Sequence, residues 1–323
     1  MYERFYGFRE APFELTANPR FLFYTAQHRE ALSNLQYGLS AAKPVTLLIG
    51  DAGTGKSTLL RAALASEMCR HITCVVLDNP ALTRAEFFET LASRFDLAAG
   101  SATSKVTLLG SLEAKVRSRQ TRREITALVV DEAQALSDEI LEEIRLLSNL
   151  ETPTSKLLPV VLAGQPELAA RLNEHRLRQL KQRVALRCEL KPLDLPDTAA
   201  YIASRIRSAG GNPANIFTRE AVTLIYEYSH GVPRTISVMC DNALMSGFAL
   251  DRRPVDRDMV REVCRDFDLY AAPATSPRPQ HLALVTSDPA QPSRNGPGNS
   301  SDGAARPPHD AGKSRNESVL GLH

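Results

Sequence analysis

The sequence predicts an α/β fold: a parallel sheet with helices on both faces, followed by a small all-helical domain and a disordered C-terminal tail. Three observations carry this expectation. Four short apolar runs, 45–49 (VTLLI), 72–77 (ITCVVL), 125–130 (ITALVV) and 157–163 (LLPVVLA), are rich in β-branched residues and do not alternate with polar ones, the pattern of strands buried on both faces of a parallel sheet. Helical stretches at 56–68, 83–95, 105–119 and 137–149 lie between them and supply the crossovers that parallel strands require. After "KPLDLPD" the strand signal stops, and 196–209, 218–229, 234–247 and 255–266 read as helices, three of them opened by Asp, Thr or Pro.

The two ends differ from this middle. Eight of the nineteen aromatic residues fall by position 24 (Tyr2, Phe5, Tyr6, Phe8, Phe13, Phe21, Phe23 and Tyr24), which predicts an N-terminal strap packed on the sheet or, alternatively, lining a pocket for a planar ligand group. From 271 onward eight of the twenty prolines accumulate beside Ser, Gly and Asn. Such a segment buries too little apolar surface to offset its ordering entropy and is expected to be disordered.

With 323 residues and a formal charge of +2, the chain is long enough for one or two domains with a hydrophobic core, and its total charge implies neither nucleic acid nor membrane. Five scattered cysteines form no CxxC pair, so neither a zinc site nor a disulfide framework is expected. No run approaches the ~18 apolar residues of a bilayer span, and "MYERFYGFRE" lacks the apolar core of a signal peptide, so the expected location is the cytoplasm.

The chemistry concentrates in a few short stretches. "GDAGTGKST" fits G-x-x-x-x-G-K-[ST] between a predicted strand and a predicted helix. Gly50, Asp51, Ala52, Gly53, Thr54 and Gly55 let backbone N–H groups curl around one anion, and the helix N-terminus adds partial positive charge. In that setting Lys56 reaches the β- and γ-phosphates of a nucleotide, Ser57 ligates Mg²⁺, and Thr58 donates to the α-phosphate. "ITALVVDEAQ" ends a strand with two carboxylates, Asp131 for the metal and Glu132 for the attacking water. Gln165, at the end of the next strand in "VVLAGQPEL", either meets the γ-phosphate and water or caps the helix that starts at Pro166.

Two basic features remain. "EHRLRQLKQRVALRC" places Arg176, Arg178, Lys181, Arg183 and Arg187 within twelve residues, which reads as a solvated face, a nucleic-acid surface, or an arginine finger reaching a neighbour's site. "SHGVPRTI" puts Arg234 in the first turn of a helix, where a cation opposes the dipole unless an anion such as a nucleotide lies nearby.

These pieces in this order resemble the AAA+ ATPases. Together with the opening "MYERFYGFREAPFELTANPRFLFYTAQHREALSNLQYGL" and with "LRQLKQRV" and "GVPRTI", they resemble more closely the general secretion pathway protein A family, including its short relatives encoded beside exopolysaccharide and exosortase-type systems. The match runs over about residues 1–268. The resemblance implies a strap and first helix at 1–40, a P-loop AAA+ domain at 41–194, a helical lid at 195–268 and a tail at 269–323. It also implies Walker A residues Lys56 and Ser57, a Walker B pair Asp131 and Glu132, sensor 1 at Gln165, a finger at Arg183 or Arg178, and sensor 2 at Arg234. The implied function is Mg-dependent ATP hydrolysis by an oligomer with ATP at subunit interfaces, acting as motor or switch in bacterial secretion, envelope export or exopolysaccharide export. The expected location is then cytoplasmic, or peripheral at the inner membrane through a secretion or export partner. Secretion-pathway members continue into a transmembrane helix and a peptidoglycan-binding region that this sequence lacks, so any membrane part is expected from a partner. The alternative reading is a DNA-binding AAA+ adaptor of the transposition type.

Overall fold

In the computed structural model, residues 1–16, 21–78 and 81–267 are described. The expected tail at 269–323 lies outside the described residues.

The first half of the chain alternates helix and strand. A single turn, α1 (Glu3–Tyr6), precedes α2 (Ala26–Ser40), β1 (Val45–Gly50), α3 (Lys56–Leu64), β2 (Ile72–Leu77), α4 (Arg84–Arg94), α5 (Lys105–Thr121) and β3 (Ile125–Val130). Then follow α6 (Asp138–Leu147), β4 (Val160–Gly164), α7 (Pro166–Leu172), α8 (Arg178–Lys181) and β5 (Val184–Leu190). The strands form one sheet in the order β2-β3-β4-β1-β5, with every pairing parallel. β1 lies inside the sheet between β4 and β5 and is buried throughout, which is why its sequence is a nearly unbroken apolar run.

One set of side chains, including Leu47, Phe87, Leu112, Val130, Ile140 and Ile144, forms the core on one face of the sheet. Leu35, Leu48, Leu59, Val129 and Val161 form the core on the other. Local chemistry fixes where the covering helices start: Ser137 caps α6 by accepting from the Ile140 N–H at 3.3 Å, and Thr83 and Glu86 close a capping box on α4. Glu143 is buried on α6 and is held by Arg84 at 2.6 Å and Lys105 at 2.8 Å, which joins three helices through one desolvated carboxylate.

β5 departs from the sequence expectation. It is a fifth strand that the four apolar runs did not announce, and the basic stretch leading into it forms a 3₁₀ turn at His175–Leu177 and the single turn α8. β5 is an edge strand with one solvated face, so polar Arg187 and Glu189 interrupt its apolar positions and hide it from a search for buried runs. The expected strand at 157–163 begins only at Val160, and the helix expected at 56–68 stops at Leu64 and gives way to a 3₁₀ turn at Glu67–Cys69.

The last four helices, α9 (Leu195–Ser208), α10 (Arg219–Ser229), α11 (Pro233–Ala249) and α12 (Arg257–Asp266), pack around a separate core of Ile202, Ile225, Met239, Leu244, Val260 and their neighbours. The aromatic strap belongs to this core and not to the sheet, contrary to the simpler expectation: Tyr2, Tyr6, Phe8 and Phe13 are buried in it. The reason is packing room. A Cβ at Gly247 would collide with the Tyr6 hydroxyl, and Phe13 meets Phe217 edge to face at 6.3 Å. The Tyr2 hydroxyl donates to Asp241, and burial together with that carboxylate pushes its pKa well above the ordinary phenol value.

Candidate functional site

The chain from the centre of the sheet to the first long helix after it builds one wall of a cavity of about 290 Å³. Gly53, Thr54, Gly55, Lys56, Ser57 and Thr58 line it, while Glu14–Thr16, Phe21–Phe23, Tyr201, Arg205 and Arg234 close it from the strap and the helical bundle. The loop turns on two left-handed residues, Gly53 (φ +82°) and Gly55 (φ +97°), a conformation that a side chain opposes. Gly55 is also the residue before α3, so the helix's unpaired N–H groups open toward the cavity.

Lys56 is buried, and its ammonium donates to the Gly50 carbonyl at 2.8 Å and the Asp51 carbonyl at 3.0 Å. Burial lowers its pKa, and the Glu132 and Asp131 carboxylates oppose that shift. The Ser57 hydroxyl donates to Asp131 Oδ2 at 2.5 Å, which joins the start of α3 to the end of β3. These are two hard oxygen donors side by side at the start of the helix that carries the buried lysine, so the residues fit Mg²⁺ shared with phosphate oxygens. Among the described residues no group of three or more His, Cys, Asp or Glu side chains forms a metal cluster.

Glu132 lines the cavity with its backbone in the left-handed region (φ +53°). Its Oε2 accepts from Gln134 Nε2 at 2.5 Å and from Gln165 Nε2 at 3.4 Å. Gln165 precedes Pro166 at the start of α7, yet its side chain makes no capping bond and turns to Glu132 instead. Gln165 is thus the N-cap residue of α7 by position, without a side-chain capping bond. Gly50 and Asp51 supply the carbonyls that hold Lys56, and Ala52 is exposed at the loop's crest.

Arg234 reaches the cavity from the other side. Its N–H donates to the Gly53 carbonyl at 3.2 Å, and a Cβ at Gly53 would lie 2.8 Å from Arg234 Cβ, so helix α11 rests directly on the phosphate-type loop. Arg178 is exposed and Arg183 half-buried, and neither is among the residues lining this cavity.

Several lining residues carry no motif. His28 is buried on α2 with Nδ1 2.7 Å from Thr25 Oγ1, and burial lowers its pKa against smaller opposing effects from the Thr54 backbone and Asp197. Arg205 donates to the Pro12 and Glu14 carbonyls at 3.2 and 3.3 Å, and its guanidinium stands over the rings of Phe21 (5.0 Å) and Tyr201 (5.3 Å). A pocket-lining strap was the alternative reading of the aromatic count, beside a strap packed on the sheet, but no spacing in the sequence announces His28, Tyr201 or Arg205. Gln134 was visible only as the last letter of "DEAQ".

Comparison with known proteins agrees with this geometry. Residues 40–172 match the family model described as AAA domain. The chain is 37% identical over 249 residues to general secretion pathway protein A of Aeromonas hydrophila, an alignment that covers 77% of this chain and 45% of that protein. Solved structures with the same fold include Cdc6p from Pyrobaculum aerophilum, at 16% identity and a TM-score of 0.61 over 79% of this chain and 70% of that one. Drosophila ORC bound to DNA is similar at 17% identity and a TM-score of 0.60, over 81% of this chain and 65% of that one. Such low identities speak to the fold alone. Among the described residues no helix is long and apolar enough to cross a membrane. With the loop, the strand-end carboxylates, the helical lid and this degree of identity together, the chain belongs to the AAA+ ATPases of the general secretion pathway protein A family.

Proposed function

We propose that the chain binds Mg-ATP in the cavity between the loop 50–58 and the helical lid and hydrolyses it, with oligomerisation placing ATP at subunit interfaces. The observation that carries this reading is the meeting of buried Lys56, Ser57 and Glu132 on one cavity wall, with Asp131 hydrogen-bonded to Ser57 behind it. Phosphate oxygens offer Lys56 charged acceptors in place of two neutral carbonyls, and the loop N–H groups and the α3 N-terminus add donors to the same anion. Ser57 and Asp131 would hold Mg²⁺, which supplies charge neutralisation on the phosphates when bound. Glu132, with Oε2 already occupied, turns its remaining lone pairs to a water and accepts a proton from it. Arg234 neutralises phosphate charge from the lid, and Gln165 helps to orient Glu132 and the water. Arg183 or Arg178 serves as the finger for a neighbouring subunit, consistent with neither lining the cavity of its own chain.

The biological role we propose is a motor or switch for bacterial secretion, envelope export or exopolysaccharide export, acting in the cytoplasm or at the inner membrane through a partner. The identity to general secretion pathway protein A supports it, over the 45% of that protein that this chain spans. A DNA-binding adaptor draws less support, because much of the basic charge in 115–123 and 171–187 is internally paired: Lys115 with Asp96, Arg117 with Glu113, Arg122 with Glu124, and Arg171 and Arg176 with Asp138.

The test is ATP binding and phosphate release by the purified chain with and without Mg²⁺. Lys56→Ala should abolish Mg-ATP binding, whereas Glu132→Gln should keep binding and lower turnover by about 10²-fold or more. Wild-type turnover in Glu132→Gln, or unchanged affinity in Lys56→Ala, would refute the assignment. Duplex affinity that falls steeply with salt would favour the adaptor instead.

A further inference from the structure

Gln134 makes more ordered contacts than a neighbour of the site requires. Its Nε2 donates to Glu132 Oε2 at 2.5 Å, and its Oε1 accepts from the Gln165 N–H at 3.0 Å. Its own carbonyl accepts from Arg171 Nη1 at 2.8 Å, and Arg171 is bound in turn to Asp138 at 2.5 Å. One carboxamide therefore ties the second residue after β3 to the residue after β4, and its backbone is pinned by Arg171 of α7.

A separate feature of the fold makes room for this. β4 ends in Gly164, where a Cβ would lie 2.9 Å from Gln134 Oε1 and 2.8 Å from Leu168 Cδ2. Glycine at this strand end leaves the space that the carboxamide occupies. Glu132 needs such support because its backbone sits at φ +53°, a sparsely populated conformation for a side-chain-bearing residue, and a long carboxylate on a strained turn has several rotamers open to it.

We propose that Gln134 is the positioning residue of the Glu132 carboxylate: it fixes one oxygen so that the other faces the nucleotide and water, with Gly164 providing the space. This rests on the ATP-hydrolysis reading above. Charge-assisted hydrogen bonds from supporting residues that orient a reactive group are commonly worth 10- to 100-fold in activity.

Gln134→Leu, which is similar in volume but has no polar head, should lower kcat by about 10- to 100-fold and leave the KM for ATP and nucleotide affinity near wild type. A merely structural role would instead lower the melting temperature and raise KM. In the Glu132→Gln background, Gln134→Leu should remove little further activity, since both act on one group. Gly164→Ala provides an independent route, because it crowds the carboxamide without removing it and should produce the same kcat-selective loss. That variant also serves if Gln134→Leu does not fold. A wild-type chain that hydrolyses no ATP would overturn the reading of the site and this inference together. Wild-type turnover with kcat unchanged or raised in the variant that folds, or losses fully additive with Glu132→Gln, would overturn this inference alone.

Discussion

The two walls of the cavity are made in opposite ways. The sheet-side wall is six consecutive residues, 53–58, with Glu132 from one strand end, and its side chains already have partners: Lys56 the Gly50 and Asp51 carbonyls, Ser57 the Asp131 carboxylate. The lid-side wall gathers residues from positions 14–16, 21–23, 201, 205 and 234, held by a core that the N-terminal aromatics share with α9–α12. A phosphate site needs dense, closely spaced N–H donors, which contiguous backbone supplies. A wall that closes over the rest of a ligand needs bulk and shape, which distant side chains supply through packing. The difference implies that the first wall carries chemistry and the second carries stability and closure, and substitutions can separate them.

The largest expected effect lies outside both walls. If Arg183 or Arg178 completes the site of a neighbouring subunit, its change to Ala should reduce turnover by about 10³-fold with a smaller effect on ATP binding. Mixing that inactive variant with inactive Lys56→Ala should then restore part of the activity, measured alongside a subunit-exchange control. If subunits exchange and neither arginine variant is impaired, the finger assignment is wrong and the site is complete within one chain.

On the lid side, Phe13→Ala removes a fully buried ring from the shared core and should cost about 3 kcal/mol or more of stability. Thermal unfolding should shift down clearly while kcat at low temperature keeps its order of magnitude. A kcat loss as large as that of Glu132→Gln, without a shift in melting, would erase the division between the walls.

The smallest effect tests the joint between them. His28 is buried against Thr25 and beside the loop, with burial lowering its pKa, while Asp197 and the Thr54 backbone pull the other way. The folded pKa is below the unfolded value of about 6.5, so its contribution to stability is complete above that pH and is lost as pH falls below it. Wild-type melting temperature should therefore decline from pH 7 to pH 5, and His28→Gln should flatten that part of the profile. Identical slopes would show that other groups govern acid destabilisation.

The parallel sheet, the phosphate-type loop and the strand-end carboxylates were legible because each depends on residues adjacent in sequence: buried strands impose unbroken apolar runs, and a loop that wraps an anion imposes glycines at fixed intervals. β5 escaped because its solvated face mixes Arg187 and Glu189 into the strand, and the whole stretch then reads as a basic surface. Gln165 stayed ambiguous because a strand-end residue that meets a phosphate and one that caps the next helix stand at the same place, and its 3.4 Å approach to Glu132 came only with the fold.

By itself, then, the sequence determined the alternation of strands and helices, the position of Lys56, Ser57, Asp131 and Glu132 relative to the strands that carry them, and the concentration of aromatics near the start. Only the tertiary structure decided that those aromatics complete the helical lid, that Arg205 and His28 face the same cavity as the loop, and that Gln134 spans two strand ends. Backbone-built features follow from short-range spacing, whereas features built from side chains far apart in sequence depend on which surfaces bury each other, and that is settled by packing of the whole fold.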